Sequence, residues 1–252
     1  MATLIPRVVR RLKRELRGAP RAAGPSRPAA SWSLGLSSEL EYWRYWIDTR
    51  GGEWPRDFEA RLDPLWPFLE DLRERLGTDP PTRVRLLDVG AGPLTVLGSY
   101  WPGHVVEIVA VDPLAEEYGR LLDRAGITPR VRTEPGCAED LVARFGSGVF
   151  DIVFCRNALD HSSDPLEGIR QMFEAVAPGG YVYLAHSENE AERRGYEGLH
   201  QWNLCSENGR LVLWRPAVRR DVAAELGPRA VVTCETPPDY VVATIRKSKE
   251  LA

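Results

Sequence analysis

The stretch that decides the fold is Arg85-Leu86-Leu87-Asp88-Val89-Gly90-Ala91-Gly92-Pro93-Leu94-Thr95. The apolar residues of its first half are typical of a buried parallel strand. Gly90 and Gly92 then predict a tight turn, because glycine allows positive φ and lets a ligand approach the backbone closely. The pattern after the turn predicts a helix that begins near residue 94.

A second apolar strand, Glu107-Ile108-Val109-Ala110-Val111-Asp112-Pro113, ends in a carboxylate. An acidic residue about 20 positions after a glycine turn is placed to bind ribose hydroxyls, so the pair of segments predicts a nucleoside cofactor. The dinucleotide fingerprint lacks its third glycine here, because Thr95 stands at that position. Asp88 would repel a diphosphate and attract a cationic ligand. Both features favour S-adenosylmethionine over NAD.

Two of these segments resemble a known family. Leu87–Gly92 resembles the first motif of the class I S-adenosylmethionine-dependent methyltransferases, and Val111–Pro113 resembles the second. The resemblance covers about residues 83–187 and the final strands. With the features above, it assigns the cofactor to Asp88, Gly90, Ala91, Gly92, Asp112, Pro113, Cys137, Ala138, Glu139 and Asn157. Cys137 replaces the acid that the family usually has there, so a carboxylate for adenine would have to come from Glu139 or Asp140.

Alternating strands and helices predict an α/β fold, a doubly wound Rossmann-like sheet of seven mostly parallel strands. Strands are predicted at 85–90, 107–112, 130–133, 150–156 and 180–186, and helices at about 115–125, 139–145 and 165–177. Past His186 the alternation breaks. Asn208-Gly209 lies between apolar runs and predicts a hairpin insertion. A helix is predicted at 217–225, before the last two strands at 230–233 and 240–246, the second of which the family resemblance implies to be antiparallel.

The chain divides into three predicted parts. Residues 1–32 combine a basic amphipathic helix at 2–17 with a linker. The helix could anchor the chain to an anionic membrane or a partner, or could dock on its own domain or on a second subunit of a homodimer. Residues 33–82 form an N-terminal helical cap with helices from Ser37 and over 57–76. Residues 83–252 bind the cofactor and carry the insertion at about 188–215.

Composition limits the partners and the compartment. The 252 residues carry a net charge of −3, but residues 1–30 account for +7, which leaves −10 for the remainder. An acidic body argues against a nucleic-acid partner, because phosphate neutralisation supplies much of that affinity. No apolar run is long enough to span a bilayer. The four scattered cysteines favour a reduced, cytoplasmic compartment.

Candidate catalytic residues lie where predicted strands end. A hydroxyl acceptor must lose a proton, and a neutral histidine suits that task. We rank His161 first as the base, followed by His186 and Glu188 and then His200, with Asp160 beside them. His161 could instead orient the substrate or cap a helix. Asp160, His161, His186 and Glu188 could also bind a divalent metal, but their separation shows no metal-ligand spacing, so no metal is predicted.

The predicted substrate residues are aromatic rings mixed with amide and imidazole groups, which suit a carbohydrate although such rings more often pack in a core. They are Trp43, Trp46, His200, Gln201 and Trp202. We therefore expect a methyltransferase acting on a hydroxyl of a sugar or short oligosaccharide. The alternatives are a small-molecule O- or N-methyltransferase of secondary metabolism, a nicotinamide-dependent sugar reductase and a non-catalytic partner subunit.

Overall fold

The computed structural model describes the backbone of residues 28–247 and the side chains of residues 35–247. Its main sheet has seven strands in the order β3-β2-β1-β4-β5-β10-β9. The pairs from β3 to β5 are parallel, and β10 is antiparallel to both of its neighbours. The strands are β1 (Arg83–Val89), β2 (Val105–Asp112), β3 (Glu134–Pro135), β4 (Phe150–Arg156), β5 (Val176–Ser187), β9 (Ala230–Glu235) and β10 (Tyr240–Lys247). The predicted fold class is confirmed.

Helices cover both faces of this sheet. They are α1 (Pro28–Asp48), α2 (Pro55–Leu62), α3 (Glu70–Arg75), α4 (Ala115–Arg124), α5 (Leu141–Phe145), α6 (Pro165–Ala175), α7 (Glu190–Arg193) and α8 (Val222–Leu226). Ile169 and Phe173 of α6 pack in the core on one face. Leu72 of α3, with Phe68 before it, packs on the other face. No helix among the residues described here is both long and apolar enough to cross a membrane.

The helix predicted after the glycine turn is absent from residues 90–104. Thr95 prevents it locally, because its hydroxyl donates to Asp88 and accepts from the backbone N–H of Leu97. Gly98 also lies so close to the Pro67 carbonyl that an added Cβ would overlap it. Side-chain bonds of this kind compete with helical hydrogen bonds. The β1–β2 connection is therefore an irregular loop.

Four other predicted elements differ from the structure. The helix predicted at 57–76 is split into α2 and α3, because Pro64 disfavours a helical Asp63. The strand predicted at 130–133 is replaced by the two-residue β3. The helix predicted at 217–225 is a strand followed by α8, which Asp221 caps. Helix α1 begins at Pro28, inside the predicted linker, and the amphipathic helix at 2–17 lies outside the described residues.

The hairpin insertion forms a second sheet of three antiparallel strands, β6 (Asn203–Glu207), β7 (Arg210–Arg215) and β8 (Val218–Asp221). Asn208 and Gly209 both have positive φ in the turn, as the Asn-Gly signal predicts. Leu204 and Leu213 of these strands belong to the main core. The hairpin itself thus extends the core, and the segment that precedes it, residues 196–202, reaches the ends of the central strands.

Candidate active site

The loop after β1 is held by its own backbone. The N–H groups of Gly90 and Ala91 donate to the Val111 carbonyl at 2.9 and 3.1 Å, and the Gly92 N–H donates to Asp112 Oδ2 at 3.1 Å. A diphosphate binds to free backbone N–H groups and to a helix N-terminus. The N–H groups of Gly90, Ala91 and Gly92 are all already bonded, and no helix begins within residues 90–104. The loop therefore suits a nucleoside cofactor that has no diphosphate.

Asp88 lies beneath this loop and is only 2% exposed. Its Oδ2 accepts a hydrogen bond from the Thr95 hydroxyl at 2.5 Å. Burial raises the pKa of Asp88 to about 7, because the charged carboxylate loses its hydration, although the Thr95 bond opposes this effect. Asp88 therefore shapes the loop directly. Its predicted contact with the cationic end of a cofactor stays a prediction.

Asp112 ends β2 and uses both carboxylate oxygens to fix the backbone. Oδ1 accepts from the Leu114 N–H at 2.9 Å, and Oδ2 accepts from Gly92. Burial raises its pKa to about 6. A carboxylate oxygen can accept a second hydrogen bond, so Asp112 can still receive ribose hydroxyls. Pro113, between Asp112 and Leu114, is exposed at the same strand end.

The two glycines are required because neighbouring side chains approach them. Gly90 and Gly92 have φ values of +71° and +65°. A Cβ on Gly90 would overlap the Ala158 methyl, and one on Gly92 would lie 3.1 Å from Cζ2 of Trp43. The Trp43 indole also donates to Glu39 at 2.7 Å. Trp43 was predicted to contact substrate, but the structure places it over the cofactor loop.

Trp46 is a correction. It is 3% exposed and packs against Phe58 with ring centroids 5.1 Å apart. Its ring belongs to a hydrophobic cluster with Phe58 and Ile47, so neighbouring apolar side chains occupy the faces that a substrate would need.

Glu139 is bonded to the loop that precedes α6. Its Oε1 accepts from the hydroxyls of Ser162 and Ser163 at 2.6 and 2.8 Å and from the Asp164 N–H at 3.1 Å. Burial opposes ionisation, but these hydrogen bonds together lower its pKa below the usual range. Glu139 thus anchors the loop before α6 through Oε1, and its predicted contact with adenine stays a prediction. Cys137 and Ala138, next to it, are half-buried beside that loop and α6.

Three predicted residues meet where β4 ends. Asp160, 5% exposed, accepts at Oδ2 from His200 Nδ1 at 2.6 Å, and His161 Nε2 lies 3.5 Å from the same oxygen. His161 Nε2 also lies 3.1 Å from His200 Nδ1. Burial works against ionisation, but the charge of His161 and the hydrogen bond from His200 hold the pKa of Asp160 well below its usual range. We call this group the Asp160 cluster.

The backbone joins the two distant segments of the cluster. The N–H groups of Gln201 and Trp202 both donate to the Asp160 carbonyl, at 3.0 and 3.3 Å. This contact brings His200 to its position, although 39 residues separate it from His161. Sequence reasoning placed His200 last among the bases, because no spacing signal links two segments so far apart.

His186 is the second-last residue of β5 and is 2% exposed. Neither of its ring nitrogens has a hydrogen-bond partner in the described structure. Burial lowers its pKa to about 4, despite the opposing charge of Asp160. Glu188, predicted beside it, lies outside the Asp160 cluster, and its predicted role as a base stays a prediction. Its backbone N–H donates to the Asp239 carbonyl, and its charge acts on Cys205 and Cys234.

Three other predicted residues make contacts within the protein near the strand ends. They are Gln201, Trp202 and Asn157. The Gln201 amide donates to two carbonyls of its own loop. Trp202 is buried, with the Arg215 guanidinium 4.2 Å above its ring. Both residues were predicted to bind the substrate, but the Gln201 amide N–H and the Trp202 ring contact other parts of the protein. Asn157 has φ +49°, donates to the Tyr240 hydroxyl at 2.9 Å and accepts from the Ser187 N–H at 2.9 Å.

The Asp160 cluster can act chemically in two ways. An imidazole held by an ionised carboxylate can take a proton from a hydroxyl. Alternatively, the three ligand atoms lie within 4.8 Å of one another and could hold a divalent cation. The prediction of no metal therefore stays a prediction.

A family model described as a methyltransferase domain matches residues 60–227. A ubiquinone biosynthesis O-methyltransferase of Caulobacter sp. is 30% identical over 120 residues, which cover 45% of this chain. The chain spans less than half of that relative, 44% of its length. A solved didemethyltoxoflavin methyltransferase of Burkholderia thailandensis shares 20% identity over 92% of this chain and 95% of its own, with a TM-score of 0.47. The rRNA methyltransferase RsmC of T. thermophilus shares 18% identity over 74% of this chain and 39% of its own, with a TM-score of 0.39.

Proposed function

Because the chain belongs to the class I S-adenosylmethionine-dependent methyltransferase family, we propose that it methylates a hydroxyl oxygen of a small sugar. S-adenosylmethionine is the cofactor, and the loop of Gly90–Gly92 fits it, because that loop has no free N–H groups for a diphosphate. The observation that carries the choice of a hydroxyl acceptor is the Asp160 cluster. It places a buried carboxylate and two imidazoles at one strand end.

Bound S-adenosylmethionine supplies a methyl group that is already activated by a sulfonium. The protein must then align the acceptor oxygen and remove its proton. When His200 Nδ1–H donates to Asp160, the Nε2 lone pair of His200 is free to accept that proton. His161 Nε2 lies 3.1 Å from Nδ1 of the same ring, and His161 can help to hold the hydroxyl. The negative charge of Asp160 stabilises the imidazolium that forms.

The sugar is supported by the polar character of the cluster and by exposed rings on α1. Tyr42 and Tyr45 are among the exposed large side chains, and α1 also carries Trp43 over the cofactor loop. Such rings stack on the apolar faces of sugars. A second acceptor, a hydroxyl of a quinone-type ring, is favoured by the similarity to the ubiquinone biosynthesis O-methyltransferase.

The first experiment incubates the protein with methyl-labelled S-adenosylmethionine and two panels, one of sugars and oligosaccharides and one of hydroxylated aromatic rings. Mass spectrometry then locates the added methyl group. We expect O-methyl products from the sugar panel. If only the aromatic panel gave products, the proposed acceptor would be the ring hydroxyl and not the sugar. Methylation at nitrogen only would overturn the hydroxyl proposal.

The second experiment compares His161→Ala and His200→Ala with His104→Ala. His104 precedes β2, at the opposite edge of the sheet, where it stacks on Trp101. We expect at least one cluster variant to lose about 10²–10⁴-fold in turnover, the range for general base catalysis. Calorimetry should show little change in S-adenosylhomocysteine affinity. Full turnover in both cluster variants would remove the histidine base from the proposal.

A further inference from the structure

His186 is an unsatisfied polar side chain inside the protein. It is 2% exposed, and its Nδ1 and Nε2 are both buried without a partner in the described structure. Buried polar atoms in proteins are nearly always hydrogen-bonded, because leaving one unpaired is costly. The ring therefore requires a partner that enters from outside, either a bound water or a group of a ligand.

The position of His186 favours the acceptor over the cofactor. The glycine loop and the ribose carboxylate lie at the ends of β1 and β2, whereas His186 lies at the end of β5, on the far side of β4. The Asn157 N–H donates to the Ala185 carbonyl at 3.1 Å, so the segment that leads to Asp160 begins beside His186. Asp160 and His186 are near enough for their charges to interact.

The protonation of the ring limits what it can bind. Burial in the core of the sheet disfavours the imidazolium, so His186 offers one N–H donor and one lone pair. A second hydroxyl on the acceptor can pair with either ring nitrogen, because it can accept from the N–H or donate to the lone pair. The Asp160 cluster receives the hydroxyl that is methylated, and His186 is near enough for the charges of Asp160 and His161 to act on it.

We propose that His186 is a positioning residue that binds a second acceptor oxygen, adjacent to the methylated one, so that the enzyme selects vicinal diols. This inference rests on the proposed function and refines it, since many sugars and dihydroxylated aromatic rings carry such a pair. A site built to bond a hydroxyl discriminates strongly against an analogue that lacks it.

The test measures binding to the full chain saturated with S-adenosylhomocysteine. The probes are two matched pairs, catechol with phenol and trans-1,2-cyclohexanediol with cyclohexanol, titrated by NMR. We expect the diol of at least one pair to bind about tenfold more tightly than its mono-ol, as expected when one buried hydrogen bond is lost. In His186→Leu this ratio should fall towards one, and His186→Asn, which keeps a donor and an acceptor, should restore part of it.

The outcomes separate this inference from the proposed function. Equal binding of diols and mono-ols by the wild-type protein overturns it, as does an unchanged ratio in His186→Leu. A loss that falls on S-adenosylhomocysteine instead of the diols also overturns it. If His186→Leu does not fold, the ¹⁵N signals of the His186 ring in the wild-type protein decide, because they must move with diols and stay with mono-ols. The binding ratio does not depend on turnover, so failure to methylate any hydroxyl counts against the proposed function alone.

Discussion

The two halves of the candidate active site are built in different ways. In the cofactor half, the N–H groups of Gly90–Gly92 are bonded to Val111 and Asp112, and the Gly92 carbonyl accepts from the Thr133 hydroxyl. In the acceptor half, side chains from β4, β5 and the insertion converge, and His186 keeps two unpaired nitrogens. A common cofactor can be held by a preformed loop, whereas the acceptor half has polar groups that only a ligand or water can satisfy.

This difference predicts how each half responds to substitution. Changes in the cofactor half should alter folding and cofactor affinity together, because the same contacts serve both. Changes in the acceptor half should alter turnover while cofactor binding persists. The predictions below test that division.

The largest effect is expected for Asp160→Asn. The neutral amide keeps the shape of the side chain, but it cannot hold the His200 tautomer or stabilise an imidazolium. We expect turnover to fall about 10³–10⁴-fold, as in other sites where a carboxylate orients a histidine. Single-turnover kinetics with the acceptor found in the panel measures this, and calorimetry measures S-adenosylhomocysteine affinity.

Asp123→Asn is the matched control, because Asp123 forms an exposed ion pair with Arg132 at 3.0 Å. Exposed ion pairs contribute little to stability, so turnover and S-adenosylhomocysteine affinity should both stay near their wild-type values. If Asp160→Asn kept its turnover, or lost cofactor affinity in proportion, the division between the two halves would be wrong.

The second prediction concerns pH and Asp88 in the cofactor-free protein. The pKa of Asp88 is 3.8 in the unfolded chain and about 7 in the folded protein. Between these values the unfolded state holds fewer protons, so the free energy of unfolding falls as pH rises, by up to about 4 kcal/mol. Asp88→Asn removes this dependence and should be more stable than wild type at pH 8. Urea unfolding at pH 5 and pH 8 measures the difference between the two proteins.

The same variant should bind its cofactor less well. Cationic S-adenosylmethionine favours the ionised carboxylate, so wild-type affinity should rise by up to about tenfold between pH 6 and pH 8, because the pKa of Asp88 in the free protein is about 7. Asp88→Asn should lack this part of the rise. Equal pH profiles for the two proteins would show that the carboxylate does not act on the cofactor.

Local chemistry explains which parts could be predicted from sequence. The apolar strands, the Asn208-Gly209 turn and the acid that ends β2 are each encoded within a few neighbouring residues, and the structure has all three. The helix expected after Gly92 does not form, because Thr95 is bonded to Asp88 and because the Pro67 carbonyl, distant in sequence, lies against Gly98. Tertiary contacts of this kind override local preference.

The acceptor half was harder to predict for the same reason. Asp160 and His161 follow a strand, so their place at the strand end is encoded locally. His200 joins them through backbone bonds to Asp160 that no spacing rule anticipates. Trp46 has the residue type of a sugar platform, but its burial depends on packing between α1 and α2. Residue type suggested the chemistry, and only the folded chain decides which side chains reach the rim.

The third prediction compares two glycines with similar φ. Gly90 and Gly126 have φ +71° and +66°, but an added Cβ on Gly126 meets no atom within 4 Å. Gly126→Ala should cost about 1 kcal/mol for the backbone alone. Gly90→Ala should cost about 3 kcal/mol, because its methyl also overlaps that of Ala158. Denaturant unfolding measures both values.

Gly90→Ala should also weaken S-adenosylhomocysteine binding, since the loop must shift to admit the methyl group. Adding Ala158→Gly removes the overlap and should recover part of the stability, as expected for two residues in contact. If Gly90→Ala and Gly126→Ala lowered the free energy of unfolding equally, the loop would have space for a methyl group at Gly90 and the predicted overlap with Ala158 would be wrong.

The smallest effect is expected for Tyr240→Phe, which removes the hydroxyl that accepts a hydrogen bond from the Asn157 amide at 2.9 Å. The loss of one such bond should cost about 1 kcal/mol of stability. Asn157 also accepts a hydrogen bond from the Ser187 N–H and has a positive φ three residues before Asp160. If its side chain is less firmly held, the orientation of the Asp160 cluster should change. Turnover should fall several-fold with S-adenosylhomocysteine affinity unchanged. A loss confined to cofactor affinity would place Asn157 in the cofactor half, as the sequence first indicated, and would move the boundary between the two halves from β1 to β4.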